Sequence, residues 1–362
     1  MSPDSTSRIQ RENDLQDDLL TPSSPRQLKE LDLAPRKAIC DALRTAQSFL
    51  IVGHRRPDGD CLGSQMALGL GLVSFGKKVT LYTPGPVMNH LKFVPQFERF
   101  VTELPADFKA DVTVFCDCGG IDRAGDEFKP VGTILNIDHH LSNSDFGDVN
   151  WVDIEASSTG EMICHVLRGL DAPITPDMAN CLYLALMADT GSFKFANTNH
   201  RVFEMATDLV RLGADPSWIA SEFYDSLTPG TLQLRGAVLS NLRFECDGRL
   251  CWSEVDQKMY RACGGEASEP EGLVSDLRSI VGVEVSILIH EVAEGGARAG
   301  LRSRGTWDVQ AIAAELGGGG HRNAAGCYIR GDYAEVRDRI IRVAAEHLSR
   351  PPEAQARAAA GA

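Results

Sequence analysis

Acidic and imidazole side chains recur at four places in the first half of the chain, each where an apolar run ends. The four groups are His54 with Asp58 and Asp60, then Asp117, then Asp138-His139-His140, and finally Asp189. Each group alone has an ordinary structural explanation, because an aspartate after a strand is commonly a turn former or a helix cap. The first three groups end consecutive buried-looking runs, so together they indicate one shared site.

Carboxylates that crowd one site repel each other, so such a site needs cations to be tolerable. Mixed Asp and His ligands without thiolate suit manganese or a similar first-row divalent ion, and the donors suffice for two ions that share a bridging carboxylate. Two ions about 3.5 to 4 Å apart can generate a hydroxide and stabilise both the attacking and the leaving oxygen of a phosphoryl displacement. The ligand types therefore predict a phosphate-ester hydrolase with two Mn²⁺ ions, other divalent ions being compatible.

Short apolar strands alternate with helical segments in this half of the chain. The predicted strands are 48–53, 78–82, 111–116 and 133–137. This alternation predicts an α/β fold with a doubly wound, mainly parallel sheet, in which ligands gather at the carboxyl ends of the strands. Residues 158–227 read as helical, and two hairpins are predicted at 243–255 and 283–302.

The chain length of 362 residues favours two domains, with the active site in the cleft between them and a smaller α/β domain second. The N-terminal segment is polar and too poor in apolar side chains to fold. The predicted organisation is a disordered arm at 1–33, a catalytic domain at 34–228, a linker helix at 229–242, a substrate-binding domain at 243–350 and a tail at 351–362.

Four glycines at 317–320 precede His321 and Arg322 in the second domain. A bare glycine run is typical of a flexible hinge, but here the exposed backbone amides and the adjacent cationic groups could hold a phosphate. Arg302 and Arg304 add two guanidiniums, whose fork matches phosphate oxygens. An ordinary solvated surface is the alternative explanation for these arginines.

Charge and composition exclude several classes of protein. A net charge of −14 disfavours binding to long nucleic acid, which requires many Lys and Arg contacts to phosphates. There is no run of about 18 apolar residues and no basic segment leading into an apolar one at the N-terminus, so we expect a cytoplasmic protein without membrane contact. The ten cysteines contain no C-x-x-C pair, and we expect most of them to be buried.

Taken in order, these stretches resemble the DHH phosphoesterases, in particular the stand-alone nanoRNase and pAp-phosphatase branch. The resemblance covers residues 48–330. Four stretches of this chain resemble successive motifs of that family: residues 54–64, Asp117, residues 138–140 and residues 189–191. Residues 301–304 with 317–326 resemble the DHH-associated C-terminal domain.

The resemblance implies a role for each matching residue. His54, Asp58 and Asp117 would hold one manganese, while Asp60, Asp117, His139 and Asp189 would hold the other, with Asp117 bridging the ions. Asp138 would orient an imidazole from behind, and His140 would face the substrate phosphate or the leaving oxygen. The groups expected to hold the nucleotide are Arg302, Ser303, Gly318, Gly319, Gly320 and His321.

The implied activity is manganese-dependent hydrolysis of short oligonucleotides (nanoRNA and dinucleotides) to mononucleotides, and of pAp to AMP. A cyclic dinucleotide phosphodiesterase, acting on c-di-AMP or linear pApA, would use the same ligands. A non-catalytic nucleotide-binding scaffold is a weaker alternative, because such a protein would be expected to lose ligands. Inorganic pyrophosphatase and processive exonuclease activities are disfavoured by the glycine-rich loop and by the lack of a basic channel. A homodimer is compatible with the sequence, although no interface can be identified in it.

Overall fold

The computed structural model describes residues 33–125, 127–264, 273–293 and 295–349. The predicted tail, and all of the predicted arm except its last residue, lie outside these residues. The described chain forms two six-stranded sheets, each packed against its own helices and with its own apolar core. The predicted α/β class with two domains is confirmed, whereas the predicted domain limits stay a prediction.

The first sheet is entirely parallel and its strand order is β3-β2-β1-β4-β5-β6. Its strands are β1 (Ser48–Val52), β2 (Lys78–Tyr82), β3 (Phe100–Val101), β4 (Val112–Cys116), β5 (Thr133–Asp138) and β6 (Val149–Val152). The sequence did not predict the short strands β3 and β6. The direction of winding reverses between β1 and β4, and ligand sites of open α/β sheets lie at such a reversal.

The α-helices pack against the face of this sheet that carries Phe49, Ile51 and Val114, and they lead on to the second sheet. Loop segments and a 3₁₀ turn cover the opposite face, which carries Leu50, Val52 and Phe115. The helices are α1 (Ala34–Thr45), α2 (Gly59–Ser74), α3 (Thr159–Gly169), α4 (Pro176–Asp189), α5 (His200–Arg211), α6 (Pro216–Tyr224) and α7 (Pro229–Ser240). Short 3₁₀ turns lie at Asn89–Leu91, Phe97–Arg99 and Ile121–Ala124. Helix α7 falls within the segment predicted to link the domains.

The second sheet is mixed, with the strand order β11-β12-β10-β9-β8-β7. Its strands are β7 (Arg243–Glu245), β8 (Leu250–Val255), β9 (Val285–Glu291), β10 (Ala297–Ser303), β11 (Gly319–His321) and β12 (Ala324–Ile329). Antiparallel pairing of β7 with β8 and of β9 with β10 confirms both predicted hairpins. The glycine run, predicted as a loop, instead supplies the edge strand β11, which pairs with β12.

Four helices accompany the second sheet. They are α8 (Gln257–Ala262), α9 (Leu273–Arg278), α10 (Val309–Glu315) and α11 (Tyr333–Ser349). Within the described ranges, no helix has both the length and the apolar character that crossing a membrane would require.

Two glycines allow helices α2 and α4 to pack unusually close together. A Cβ atom at Gly63 would lie 2.3 Å from the carbonyl oxygen of Cys181, and one at Gly59 would lie 2.8 Å from Cβ of Ala188. The contacts run in opposite directions along the two helices, so the start of α2 meets the end of α4. This packing brings Asp60 and Asp189 to the same place.

We predict that Gly63→Ala lowers the free energy of unfolding by about 1–3 kcal/mol, because the added methyl group overlaps backbone rather than a flexible side chain. Urea denaturation followed by circular dichroism measures the change. Gly236→Ala is the matched control, since a Cβ atom there meets nothing within 4 Å. The control should be neutral or gain up to about 1 kcal/mol from helix propensity. Equal stability of the two variants would contradict the proposed helix contact.

Candidate active site

The acidic and imidazole residues predicted to form one site do converge. His54 follows β1, Asp117 follows β4 directly and Asp138 ends β5, so the parallel strands deliver them to one edge of the sheet. Nε2 of His54 lies 3.3 Å from Oδ2 of Asp117. Nε2 of His139 lies 3.0 Å from Oδ2 of Asp189, 3.6 Å from Oδ1 of Asp117 and 3.7 Å from Oδ2 of Asp60.

Asp117 lies at the centre of this cluster. One of its carboxylate oxygens faces His54 and the other faces His139, and the hydroxyl of Thr159 donates to Oδ1 at 3.2 Å. Its backbone is left-handed, with a φ of 61°, a conformation that costs a non-glycine residue about 1–3 kcal/mol. The strand geometry is therefore broken at the residue where a carboxylate must point between two imidazoles.

Asp60 is fully buried, and backbone amides compensate its charge. Its carboxylate accepts hydrogen bonds from the amides of Thr159 (2.7 Å) and Gly160 (2.8 Å) and from the hydroxyl of Ser64 (2.9 Å). The two amides belong to the first turn of α3, where the helix dipole favours an anion. Asp58 also accepts a hydrogen bond from a helix start, because its Oδ1 caps α2 by accepting from the amide of Cys61.

The hydrogen bonding of His139 leaves its second nitrogen directed at carboxylates. Nδ1 lies 3.3 Å from the carbonyl oxygen of Ala156, so it carries a proton and donates. Nε2 is buried and has no hydrogen-bond partner, although three carboxylates surround it. A neutral imidazole would face these acceptors with a lone pair, so only a proton or a metal ion can make the arrangement favourable.

The pKa values of the cluster reflect this crowding. Burial, followed by repulsion from Asp117, raises the pKa of Asp58 to about 6, and the same two causes raise the pKa of Asp60 well above its usual range. Burial acts against ionisation of Asp117, but the nearby imidazoles of His139 and His54 outweigh it and hold its pKa well below the usual range. Burial likewise disfavours a charged His139, yet Asp117 and Asp189 raise its pKa well above normal. A proton on His139 and a bound cation are therefore alternative ways of neutralising the same group of carboxylates.

The cluster also contains a thiol that the sequence did not single out. Cys61 is buried beside His54 and Asp117, close enough for the three to form a potential metal-ligating group. Burial and the Asp117 charge raise the pKa of this thiol well above its usual range. The neutral thiol therefore serves as packing, as we expected for most cysteines.

Asp138 orients His140 rather than His139. Its Oδ1 lies 2.7 Å from Nδ1 of His140, and its Oδ2 accepts a hydrogen bond of 2.6 Å from Nδ2 of Asn143. Asn143 is in turn bound to Oδ1 of Asn136 at 2.8 Å. Burial lowers the pKa of His140, but the bond to Asp138 outweighs this and raises it.

Strand β11 of the second sheet reaches this cluster. The ring of His321 stacks on His140 with centroids 4.5 Å apart and contacts His139 at 4.9 Å. Burial and the neighbouring His139 and His140 charges lower the pKa of His321 to about 2, so it is neutral. The two sheets therefore enclose the site between them.

The three predicted phosphate-holding glycines have different surroundings. A Cβ atom at Gly318 would lie 2.1 Å from the carbonyl oxygen of Gly326, and one at Gly320 would lie 2.6 Å from that of Ala324. These two glycines are required by backbone packing. At Gly319 the nearest atom would be Oγ of Ser142 in the first domain, 3.8 Å away. Gly319 is therefore the glycine that leaves space towards the catalytic cluster.

Arg302 and Ser303 also differ in their placement. Ser303 is only 1% exposed; its hydroxyl donates to the carbonyl of Trp307 at 2.7 Å and accepts from Asn323 at 2.8 Å. Its side chain is thus hydrogen-bonded within the second domain, and the predicted contact with substrate stays a prediction. Arg302 is half-buried and donates to the carbonyl oxygen of Leu301 at 2.9 Å. It lies one strand away from His321, because Ala324 of β12 pairs with both residues. Arg322 instead donates to the carbonyl of Thr306.

Sequence reasoning missed the residues that hold the segment before α3. The carboxylate of Glu161 is fully buried, accepts from the amide and hydroxyl of Ser157, and pairs with Nε of Arg201 at 3.1 Å. Ser158 caps the helix by accepting from the amide of Glu161. A serine three residues before a glutamate is the sequence pattern of a capping box. That pattern could have located the start of α3, whereas the partner Arg201 could not have been found this way.

Comparisons with known proteins agree with this geometry. The model of the DHH family, N-terminal domain, matches residues 48–186, and that of the DHHA1 domain matches residues 258–350. The bifunctional oligoribonuclease and PAP phosphatase NrnA of Thermus thermophilus is 30% identical over 323 residues, which is 87% of this chain and 94% of the relative. The chain belongs to the DHH family. As a DHH-family phosphoesterase it is a hydrolase acting on phosphoric esters, as the sequence predicted.

Two further comparisons concern the DHH fold and its variety of substrates. A crystal structure of an exopolyphosphatase-related protein from Bacteroides fragilis superimposes with a TM-score of 0.77 at 27% identity, covering 89% of this chain and 97% of that one. The cyclic-di-AMP phosphodiesterase PdeA of Listeria monocytogenes is 24% identical and covers 81% of this chain, but only 46% of PdeA is matched.

We predict that Arg201→Ala lowers the free energy of unfolding by about 3–5 kcal/mol, because it leaves the buried carboxylate of Glu161 without a counter-charge. Thermal unfolding measures the loss, and adding Glu161→Gln should restore part of it. Arg168→Ala is the control, since its pair with Asp208 is solvent-exposed and is worth at most about 1 kcal/mol. Similar losses for the two single variants would show that Glu161 is not held by Arg201.

Proposed function

We propose that this DHH-family phosphoesterase is a divalent-metal-dependent enzyme that hydrolyses short oligonucleotides to mononucleotides and pAp to AMP. The observation that carries the metal site is the position of Asp117, whose two oxygens face the imidazoles of His54 and His139. The substrate class is supported by the similarity to the oligoribonuclease and PAP phosphatase of Thermus thermophilus. The acidic surface, with a net charge of −14, favours short substrates over long strands.

The residues present suit two divalent ions. His54, Asp58 and Asp117 would hold one ion, and the other would be held by Asp60, Asp117, His139 and Asp189. Oxygen and imidazole donors favour manganese or a similar ion, and the unpartnered Nε2 of His139 fits a ligand role. When bound, the ions supply a nucleophile from water at neutral pH and positive charge for the phosphoryl oxygens.

His140 is the group suited to proton transfer. Its Nδ1 proton is directed at Asp138, which leaves Nε2 to hold a proton for the phosphate or for the departing oxygen. The bond to Asp138 outweighs burial and raises the pKa of His140, which favours the protonated form of the imidazole. The neutral ring of His321 stacks on His140, so it positions the imidazole without adding a competing charge. Arg302 and the open backbone at Gly319 complete the substrate side.

Hydrolysis of a cyclic dinucleotide is the second candidate, favoured by the similarity to the cyclic-di-AMP phosphodiesterase. A single panel distinguishes the two, in which the full chain with Mn²⁺ is given a dinucleotide, pAp, c-di-AMP, linear pApA and a long single strand. The proposed function requires a higher kcat/KM for pAp or for the dinucleotide, with or without a 5′-phosphate, than for c-di-AMP and the long strand. A higher value for c-di-AMP would replace the proposal with the alternative.

Manganese should stabilise the folded protein, because an ion that binds only the native state adds free energy by mass action. At Mn²⁺ concentrations about 100 times the dissociation constant, the gain of about 2.7 kcal/mol should raise Tm by about 5 °C or more. Asp117→Asn should abolish this increase, whereas Asp107→Ala, an exposed change in the same domain, should retain it. No bound manganese at saturation would instead favour a non-catalytic scaffold.

Asp117→Ala should reduce manganese-dependent release of mononucleotide from a dinucleotide by at least about a hundredfold, the scale expected when a group that directly stabilises the transition state is lost. Chromatography of the products measures the rate, and circular dichroism checks that the variant folds. Asp107→Ala again serves as the control. Retained activity in Asp117→Ala would contradict the assignment of the catalytic centre.

A further inference from the structure

Arg278, at the end of α9, reaches from the second domain to the segment that follows Asp189. Its guanidinium carbon lies 5.3 Å from the centroid of the Phe195 ring. That ring fills the space beside Gly191, where a Cβ atom would lie 2.4 Å from it. Arg278 therefore contacts the Phe195 ring, and that ring packs beside Gly191, two residues after the proposed metal ligand Asp189.

Two reciprocal hydrogen bonds tie Arg278 to the strand end that carries Arg302. Arg278 donates to the carbonyl oxygen of Ser303 at 3.2 Å, and Arg304 donates to the carbonyl oxygen of Ser279 at 3.4 Å. Ser303 lies between Arg302 and Arg304 in the chain. These bonds gather three guanidiniums at one side of the cleft.

Arg278 and Arg304, two members of this group, are not paired with an acid among the residues that the structure describes. Asp276, the acid nearest in sequence, pairs with Arg235 at 2.6 Å instead. Burial, together with the positive charges of Arg302 and Arg304, lowers the pKa of Arg278. An anion bound at this point would relieve that repulsion.

We propose that Arg278, packed over the Phe195 ring and flanked by Arg302 and Arg304, binds a second phosphate group of the substrate, one that is not hydrolysed. The inference rests on the proposed function. Substrates of this class are nucleotides with a phosphate besides the scissile one, such as a 5′-phosphorylated dinucleotide or a nucleoside 3′,5′-bisphosphate. A stacked guanidinium is already ordered, so it offers its planar fork to a phosphate with little further loss of entropy.

The position of Arg302 separates this group from the scissile phosphate. Ala324 on β12 pairs with Arg302 on one side and with His321 on the other. Arg278 donates to the carbonyl oxygen of Ser303, the residue after Arg302. Arg302 therefore lies between the stacked histidines and Arg278. The phosphate to be cleaved must lie at His140 and the carboxylate cluster. Arg278 is thus placed to contact a different phosphate of the same molecule.

The test compares matched substrates with and without the second phosphate, using the full chain with Mn²⁺. The pairs are pApA with ApA, and pAp with 3′-AMP. The wild type should prefer the phosphorylated member of at least one pair. Arg278→Ala should reduce that ratio of kcat/KM values by about tenfold or more, as expected for loss of a charge-assisted hydrogen bond. The effect should lie mainly in KM, because the contact is not made only in the transition state.

Three further variants sharpen the test. Arg278→Lys keeps the charge but not the planar fork, so it should recover part of the preference. Phe195→Leu should give an intermediate loss, because the guanidinium is no longer stacked. Arg342→Ala, which removes an exposed arginine from α11 of the same domain, should leave the ratio unchanged.

Each outcome is decisive. Loss of preference in one substrate pair alone assigns the site to that class of nucleotide. An equal loss of activity on both members of each pair would show that Arg278 acts on the scissile phosphate or on folding, and would overturn the inference. Absence of any preference in the wild type would overturn it as well. If the wild type hydrolyses none of the four substrates, the proposed function itself fails, which is a separate result.

Discussion

Mutual repulsion among buried carboxylates is the constraint on which the rest of this structure depends. Asp60, Asp117 and Asp189 all lie within 3.7 Å of one imidazole nitrogen of His139. The chain offsets part of this repulsion with the amides at the start of α3 and with two imidazoles. The remainder leaves the site poised to accept positive charge, whether as a proton on His139 or as metal ions.

Holding such a cluster together requires a scaffold that is stable for other reasons. Close packing of α2 on α4 through Gly59 and Gly63 places two of the carboxylates at helix ends that meet. The buried pair of Glu161 and Arg201 fixes the segment from which α3 begins. Packing of the core therefore offsets the free energy lost to repulsion among the carboxylates. It also allows Asp117, at the centre of the carboxylate cluster, to keep its left-handed backbone.

The second domain contributes an imidazole, open backbone and arginines to the cleft rather than further carboxylates. His321 and the open backbone at Gly319 approach the catalytic cluster from β11. Arg302 lies one strand beyond His321, and Arg278 and Arg304 are hydrogen-bonded at the end of the same strand. Negative charge on one side and positive charge on the other is the arrangement expected for metal ions and substrate phosphates held between two domains.

The sequence by itself determined the fold class, the strands that lead to the site and the family, because apolar periodicity and the ordered Asp and His motifs are local features. The resemblance also named the six candidate metal ligands, which the structure brings together. Only the tertiary structure decided that Asp138 serves His140, that Ser303 is used within its own domain and that Gly318 and Gly320 are required for packing. The pairing of Arg201 with Glu161 and the stacking of Arg278 on Phe195 were equally invisible in the sequence. These contacts join residues 40 and 83 positions apart, and no local pattern of residue types specifies which distant side chain will fill a given buried position.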